Sequence, residues 1–206
     1  GCGSMNTNDS SGTNSKEKEP QTLALQDEFT SRFLTSSKEV QDGYYELKSG
    51  IDGYTLLFPV NATLDQTFYQ YRDQEYEAIY FWEDREKENY GYFVKGRFED
   101  RKITQLIDSN LDLLIGSEKS LAPEDFEKYE IEENDVYFAE FKQNIIDNEK
   151  GYYLHFLGYV KSQTSDKAIA LSYSSTCISE TEECKLKLDQ ERERAKKIFH
   201  SVRFNP

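Results

Sequence analysis

The chain has 206 residues, 36% hydrophobic and 31% charged, with a formal net charge of −14, so it lacks the basic footprint that neutralises nucleic-acid phosphates. Its 15 Tyr, 13 Phe and single Trp set it apart from disordered chains, which are poor in aromatics. No run of 18 apolar residues reads as a membrane-spanning helix, and the length fits one folded domain with an appendage.

In chain order the appendage comes first. Gly1-Cys2-Gly3-Ser4 opens a stretch in which 11 of the 18 residues from Cys2 to Glu19 are Gly, Ser, Asn or Thr. Such a composition has almost nothing to bury against its conformational entropy, so residues 1–21 are expected to be a disordered tether ahead of one globular domain over 22–206. A cysteine at the head of such a tether resembles the lipidated cysteine of bacterial lipoproteins, with the small residue Gly1 ending the cleavage box of a signal peptide. The resemblance implies a diacylated Cys2, two chains being enough for stable anchoring, and a position on the extracellular face of the bacterial cell membrane. A competing reading takes Gly1–Ser4 as a vector junction before a native start at Met5, the one Met in the chain.

From Thr22 to Val40, Leu23, Leu25, Phe29, Phe33 and Leu34 recur at partly helical spacing and predict a short amphipathic helix. Tyr44–Lys48 and Tyr54–Phe58 read as the strands of a hairpin around Ser49-Gly50-Ile51-Asp52-Gly53, with Pro59 ending the second strand. Tyr76–Trp82 is a strand with two largely apolar faces, which predicts cover on both sides. After the charged link Glu83–Asn89, Tyr90–Phe98 alternates as a half-buried strand. Between Arg101 and Ile115 the period changes to three and four residues, predicting one helix stopped by Gly116. Val136–Ile145, Gly151–Lys161 and Lys167–Tyr173 follow as an antiparallel meander with hairpin-length links. From Lys185 a last helix carries Leu188, Ala195, Ile198, Phe199 and Val202 on one stripe. The fold class is therefore α+β, an antiparallel β-sheet flanked by helices.

This order, opening on the strand G-Y-T-L-L-F-P and closing on Ile198-Phe199-His200-Ser201-Val202, resembles the PsbP-like family, whose fold is shared with the Ran nucleotide-release factor. The resemblance spans about Tyr44 to Phe204 and implies an α/β/α sandwich. Val60-Asn61-Ala62-Thr63 departs from it, where an aromatic residue is expected soon after Pro59. No set of functional residues carries over, so the resemblance implies a fold and not a function.

Apart from Cys2, two cysteines remain. Cys177 and Cys184 flank a polar, turn-like hexapeptide, and an even pair in an exported chain predicts a disulfide. Unpaired thiols are the cytosolic alternative. Neither histidine has ligand spacing to a cysteine, which argues against zinc. The acidic run Glu130, Glu132, Glu133, Asp135 lacks the spacing of a calcium loop and reads as a solvated turn, so no metal and no cofactor is expected.

No phosphate loop and no nucleophile elbow occurs. His155, mid-strand between Leu154 and Phe156, reads as a packed imidazole, and His200 lies near the chain end. Tyr76, Tyr80 and Trp82 crowd one stretch and form the candidate binding surface, because Tyr and Trp offer rigid amphipathic rings to partners. The expected function is a lipid-anchored binding or accessory domain of the cell envelope, more plausibly not an enzyme. Its partners would be the membrane, through the lipid, and a protein, peptide or other envelope component, with no nucleic acid. The alternatives are an envelope hydrolase using carboxylates or His155, and a cytosolic regulator of a partner protein.

Overall fold

A computed structural model describes residues 22–148 and 151–206; the tether and Cys2 lie outside the described residues. The strands are β1 (Tyr44–Lys48), β2 (Tyr54–Pro59), β3 (Thr63–Leu64), β4 (Gln70–Arg72), β5 (Tyr76–Arg85), β6 (Tyr90–Asp100), β7 (Glu127–Ile131), β8 (Asn134–Asn144), β9 (Tyr152–Ser162), β10 (Lys167–Cys177) and β11 (Arg203–Phe204). The α-helices are α1 (Leu23–Gln26), α2 (Glu28–Ser31), α3 (Ile107–Ile115) and α4 (Leu188–His200).

Two sheets result, and every pairing in them is antiparallel. The large one has eight strands in the order β3-β5-β6-β10-β9-β8-β7, with β4 on the other end of β5; the small one runs β1-β2-β11. Period-2 alternation sends Ile79, Phe81, Val94, Phe98, Phe156, Leu171 and Tyr173 to the inner face of the large sheet, where they meet Leu56 and Phe58 of the hairpin and Ile198 and Phe199 of α4 in the main core. A smaller core lies on the outer face, where Leu111 and Ile115 of α3 pack on Ala139, Leu157, Tyr159, Ala168 and Ala170. Helix, sheet and helix-plus-hairpin form three layers.

Two glycines permit close approach. A Cβ on Gly158 of β9 would lie 2.4 Å from the Phe199 ring, and one on Gly53 of the hairpin turn 2.6 Å from Phe98. Side chains there would lift α4 or the hairpin off the sheet.

Four sequence expectations change. The single helix over Thr22–Val40 is instead two short turns, broken at Asp27, whose carboxylate caps α2 through the Thr30 N–H (2.9 Å) and hydroxyl (2.6 Å). The helix over Arg101–Ile115 is a 3-10 turn, Lys102–Gln105, then α3. Between them Leu106 is non-helical, because the Asn110 amide takes the Ile103 and Leu106 carbonyls and the Tyr159 hydroxyl takes that of Thr104. In α4, Leu188 is 42% exposed and Glu191 occupies the buried stripe instead. Finally, β5 is covered on its inner face only, and Tyr80 and Trp82 on the outer face stay half-exposed.

Candidate functional site

The chain leaves β6 in mid-sheet and must reach β7 at the far edge, so α3 crosses the outer face over β9 and β10. It covers the end of the face near Ala168 and Ala170. Beyond it, five strands bring one residue each to a single rung: Trp82, Phe93, Ser174, His155 and Phe141. The neighbouring rung holds Tyr80, Lys95 and Ser172 and ends in Leu157 and Ala139, which lie beneath α3. The central strand β10 contributes only small side chains to this surface, Ser172, Ser174 and Thr176, while its neighbours contribute large rings. The outcome is a strand of small residues, with Ser174 itself buried, flanked by half-exposed rings on both sides.

One flank is a ring cluster. Tyr80 stacks on Phe93 with centroids 5.5 Å apart at 11°, Phe68 lies 5.4 Å and Trp82 6.3 Å from Tyr80, and Lys95 Nζ sits 5.9 Å from both the Tyr80 and Phe93 centroids. Burial, with Asp65 and Asp84 nearby, pushes the Tyr80 hydroxyl above its ordinary pKa, so it remains a neutral donor. Two of the three expected surface residues, Tyr80 and Trp82, are thus brought together. Tyr76 is not: it shares their face but lies four residues from Tyr80, about 13 Å along the strand, beneath the Arg72 guanidinium at 5.7 Å.

The other flank centres on His155. Its Nδ1 lies 2.6 Å from Ser174 Oγ and its Nε2 2.7 Å from Gln143 Oε1. An amide oxygen only accepts, so Nε2 carries the proton and Nδ1 accepts from the serine hydroxyl. The imidazole is sandwiched between Phe141 (4.7 Å, 30°) and Tyr153 (5.5 Å, 16°). Burial holds it below the ordinary histidine pKa, against the opposing charge of Glu118, so the ring is neutral at pH 7.

A second polar cluster lies on the inner face, its carboxylates and tyrosines buried and its arginines partly exposed at the edge. The fully buried Glu191 of α4 accepts from the Tyr173 hydroxyl (2.6 Å) and from Arg194 (2.9 Å), which also reaches Tyr173 at 3.1 Å. Next to it the Tyr92 hydroxyl donates to Glu83 at 2.7 Å, Arg85 pairs with Glu83 at 3.1 Å, and Tyr92 stacks on Tyr173 at 4.7 Å. Each carboxylate oxygen of Glu191 and Glu83 has a donor. This cluster pins α4 to the sheet, as a satisfied buried network does.

Cys177 and Cys184 form a disulfide with Cα atoms 5.8 Å apart. No group of three His, Cys, Asp or Glu among the described residues is arranged to hold a metal ion. The acidic turn is dispersed: Glu130 and Asp135 accept from Gln163, and Glu132 faces Arg203 at 3.9 Å. No described helix is long and apolar enough to cross a membrane.

The sequence pattern has a counterpart among known proteins. A family model described as "Putative lipoprotein YvcA" matches residues 20–203. The chain belongs to the YvcA lipoprotein family. A relative of the same description from Bacillus subtilis (strain 168) is 27% identical over 225 residues, covering 99% of this chain and 90% of that protein. The YvcA match names a bacterial lipoprotein family; it does not specifically name the PsbP-like domain expected from the strand and helix order. Membership agrees with a membrane-associated bacterial lipoprotein. Cys2 precedes the matched YvcA region.

Sequence reasoning missed Phe93, Lys95, Phe141, Ser174 and Gln143 as one surface. The signal was available in part: β10 reads A-I-A-L-S-Y-S-S-T, with small residues at every second position, the pattern of a sunken outer face.

Proposed function

We propose that the chain is a lipid-anchored binding or accessory module on the extracellular face of a bacterial cell membrane. It is held by a diacylated Cys2 and meets an envelope component with the open half of its outer sheet face. The observation that carries this reading is the half-exposed row of Trp82, Phe93, His155 and Phe141 around the buried Ser174, beside α3. Membership in a lipoprotein family and the Cys177–Cys184 bond support the location. Flexible coils of about 20 residues span on the order of 25 Å, enough to hold a domain just above the headgroups. Seven basic and three acidic residues from Cys184 onward give +4 and leave −18 in the rest of the chain. An anionic membrane surface repels such a domain, so the lipid must supply the attachment. Fractionation of cells expressing the leader-bearing protein and its Cys2→Ala variant tests this: the variant is expected in the soluble fraction or the medium, and equal membrane retention would defeat the anchor.

The geometry of His155 favours one second reading, a hydrolase in which His155 Nδ1 accepts the proton of a nucleophilic Ser174 while Gln143 fixes the tautomer. A fluorophosphonate probe decides it. Labelling of Ser174 that is lost in His155→Ala would support the hydrolase; unlabelled Ser174 leaves the binding module in place. The cytosolic-regulator alternative draws no support from a lipoprotein family.

A further inference from the structure

We infer that the cleft between the β8–β9 turn and the disulfide loop docks an extended basic peptide that carries aliphatic side chains. This is a second surface, at the end of the large sheet, and it does not rest on the reading of the outer face.

Shape is the first argument. The cleft has a volume of about 660 Å³, within the size range of ligand pockets. One wall is the turn that follows β8, with Ile145 and Ile146; the other is the Cys177–Cys184 loop, with Ile178. Ile146 is 87% exposed and Ile178 52%, so two large aliphatic side chains stand in solvent at the mouth of one cavity. A partner's aliphatic side chains laid against them would take that apolar area out of water.

Charge selects the occupant. Asp147, Glu180 and Glu182 line the cleft, and no Lys or Arg among the described residues does. The stretch from Glu180 to Lys185 carries three Glu against one Lys. The Asn148 amide donates to Glu180 at 2.6 Å, which leaves that carboxylate's charge unneutralised. Lys and Arg side chains have an apolar stem and a charged tip, so one such residue meets both surfaces, its stem on isoleucine and its tip on a carboxylate. Arg adds the bidentate geometry. An anionic lipid surface or a polyanion is repelled by the same carboxylates. In a two-fold contact between copies of this chain, the patch would meet its own negative charge.

Both walls are set before a ligand arrives. Asn89 exchanges two hydrogen bonds with the Ser179 backbone and donates to the Glu182 carbonyl, each at 2.9 Å, and the disulfide closes the base of that loop. On the other wall the Asn148 side-chain oxygen accepts the Gly151 N–H at 3.0 Å, while its amide ties the turn to Glu180. A cleft already ordered spares that cost on association.

Full-length Cys2→Ala protein, free of lipid, is titrated at about 0.15 M salt, where distant surface charges are largely screened. The probes are three fluorescein-labelled peptides, one alternating arginine with leucine, one arginine with serine, and one glutamate with leucine. A saturable rise in anisotropy is expected with the arginine–leucine peptide alone. Ile146→Ser/Ile178→Ser and Glu180→Gln/Glu182→Gln are each expected to weaken it at least about tenfold. All four positions are exposed, so both variants are expected to keep the wild-type circular dichroism. Glu127→Gln/Glu130→Gln removes the same charge from exposed positions of β7 and is expected to change the affinity less than about twofold. The inference is overturned if the arginine–leucine peptide does not bind up to about 1 mM, or if either other peptide binds as tightly. It is equally overturned if neither cleft variant weakens binding, or if the β7 variant weakens it as much. Co-sedimentation with phosphatidylglycerol vesicles that is lost in Ile146→Ser/Ile178→Ser would overturn it in favour of a lipid surface. Tyr80 and Phe93 take no part in these readouts, so failure here is distinct from failure of the outer face.

Discussion

Asn89 holds Ser179 from both sides: its Oδ1 accepts the Ser179 N–H at 2.9 Å, and its Nδ2 donates to the Ser179 carbonyl at 2.9 Å. The same Nδ2 donates to the Glu182 carbonyl at 2.9 Å, and the Asn89 carbonyl accepts from Ile178 N–H at 3.1 Å. Asn89 is buried and sits at φ 56°, the left-handed region that asparagine tolerates. The β5–β6 turn thereby becomes the dock for the disulfide loop that follows β10.

Replacing Asn89 by Ala removes three side-chain hydrogen bonds and puts a Cβ-bearing residue with no compensating contact at positive φ. A loss of about 2–4 kcal/mol is expected. Asn89→Gly loses the same bonds but none of the backbone fit, so it is expected to be milder than Asn89→Ala. Urea unfolding of the two variants gives the ranking; an Ala variant as stable as wild type would contradict the docking role.

The disulfide closes a loop of eight residues, counting both cysteines. Constraint of the unfolded chain by so short a loop is worth about 2.5 kcal/mol. The Cys177→Ala/Cys184→Ala double variant is expected to lose about that amount while keeping the sheet, because Asn89 still holds the loop. Combining it with Asn89→Ala is expected to cost more than the two separate losses added together, as for neighbours sharing one element. Thermal unfolding of the three variants measures the coupling.

Glu191 and Arg194 are a buried ion pair at 2.9 Å, completed by the Tyr173 hydroxyl. Glu191→Ala leaves the guanidinium without its anion in a largely buried site, and a loss of about 3–5 kcal/mol is expected. Arg194→Leu added to it removes the stranded charge and is expected to restore part of that loss. If the double variant is as unstable as the sum of the singles, the two residues act independently.

Both described histidines are held below the ordinary imidazole pKa, His155 by burial and His200 by burial together with Lys196 and Arg203. A group that binds its proton less readily when folded favours the unfolded state as it is protonated. This contribution is absent above the unfolded pKa of about 6.5 and becomes destabilising as pH falls through it. Melting temperature is therefore expected to drop between about pH 7.5 and 5.5, and to drop less in His155→Gln/His200→Gln. An equal drop in the double variant would assign the dependence to carboxylates.

Much of the fold was legible in the residues, because alternation and helical spacing report burial directly. The hairpin of β1 and β2, the β5–β6 pair and the β8-β9-β10 meander all follow from period-2 runs. The edge strand Glu127–Ile131 was not legible, since none of the five residues of its charged E-K-Y-E-I run is buried and β7 is held mainly by pairing with β8. Nor was the exposure of Tyr80 and Trp82. A strand with two apolar faces reads as covered twice, and only the path of α3 over β9 and β10, away from β5, leaves one side open. Glu191 could have been found: counting back four from Ala195 on the buried stripe of α4 lands on a carboxylate that must have a partner.

The central claim, that the uncovered half of the outer sheet face is where this lipoprotein-family domain meets the envelope, is tested most directly by sedimentation with purified bacterial cell envelopes. Full-length Cys2→Ala protein lacks a lipid, so its retention reports the domain alone. Wild-type face is expected to co-sediment, and Tyr80→Ser/Phe93→Ser, checked for folding by circular dichroism, is expected to remain in the supernatant. Equal sedimentation of the two proteins, or none of either, would contradict the claim.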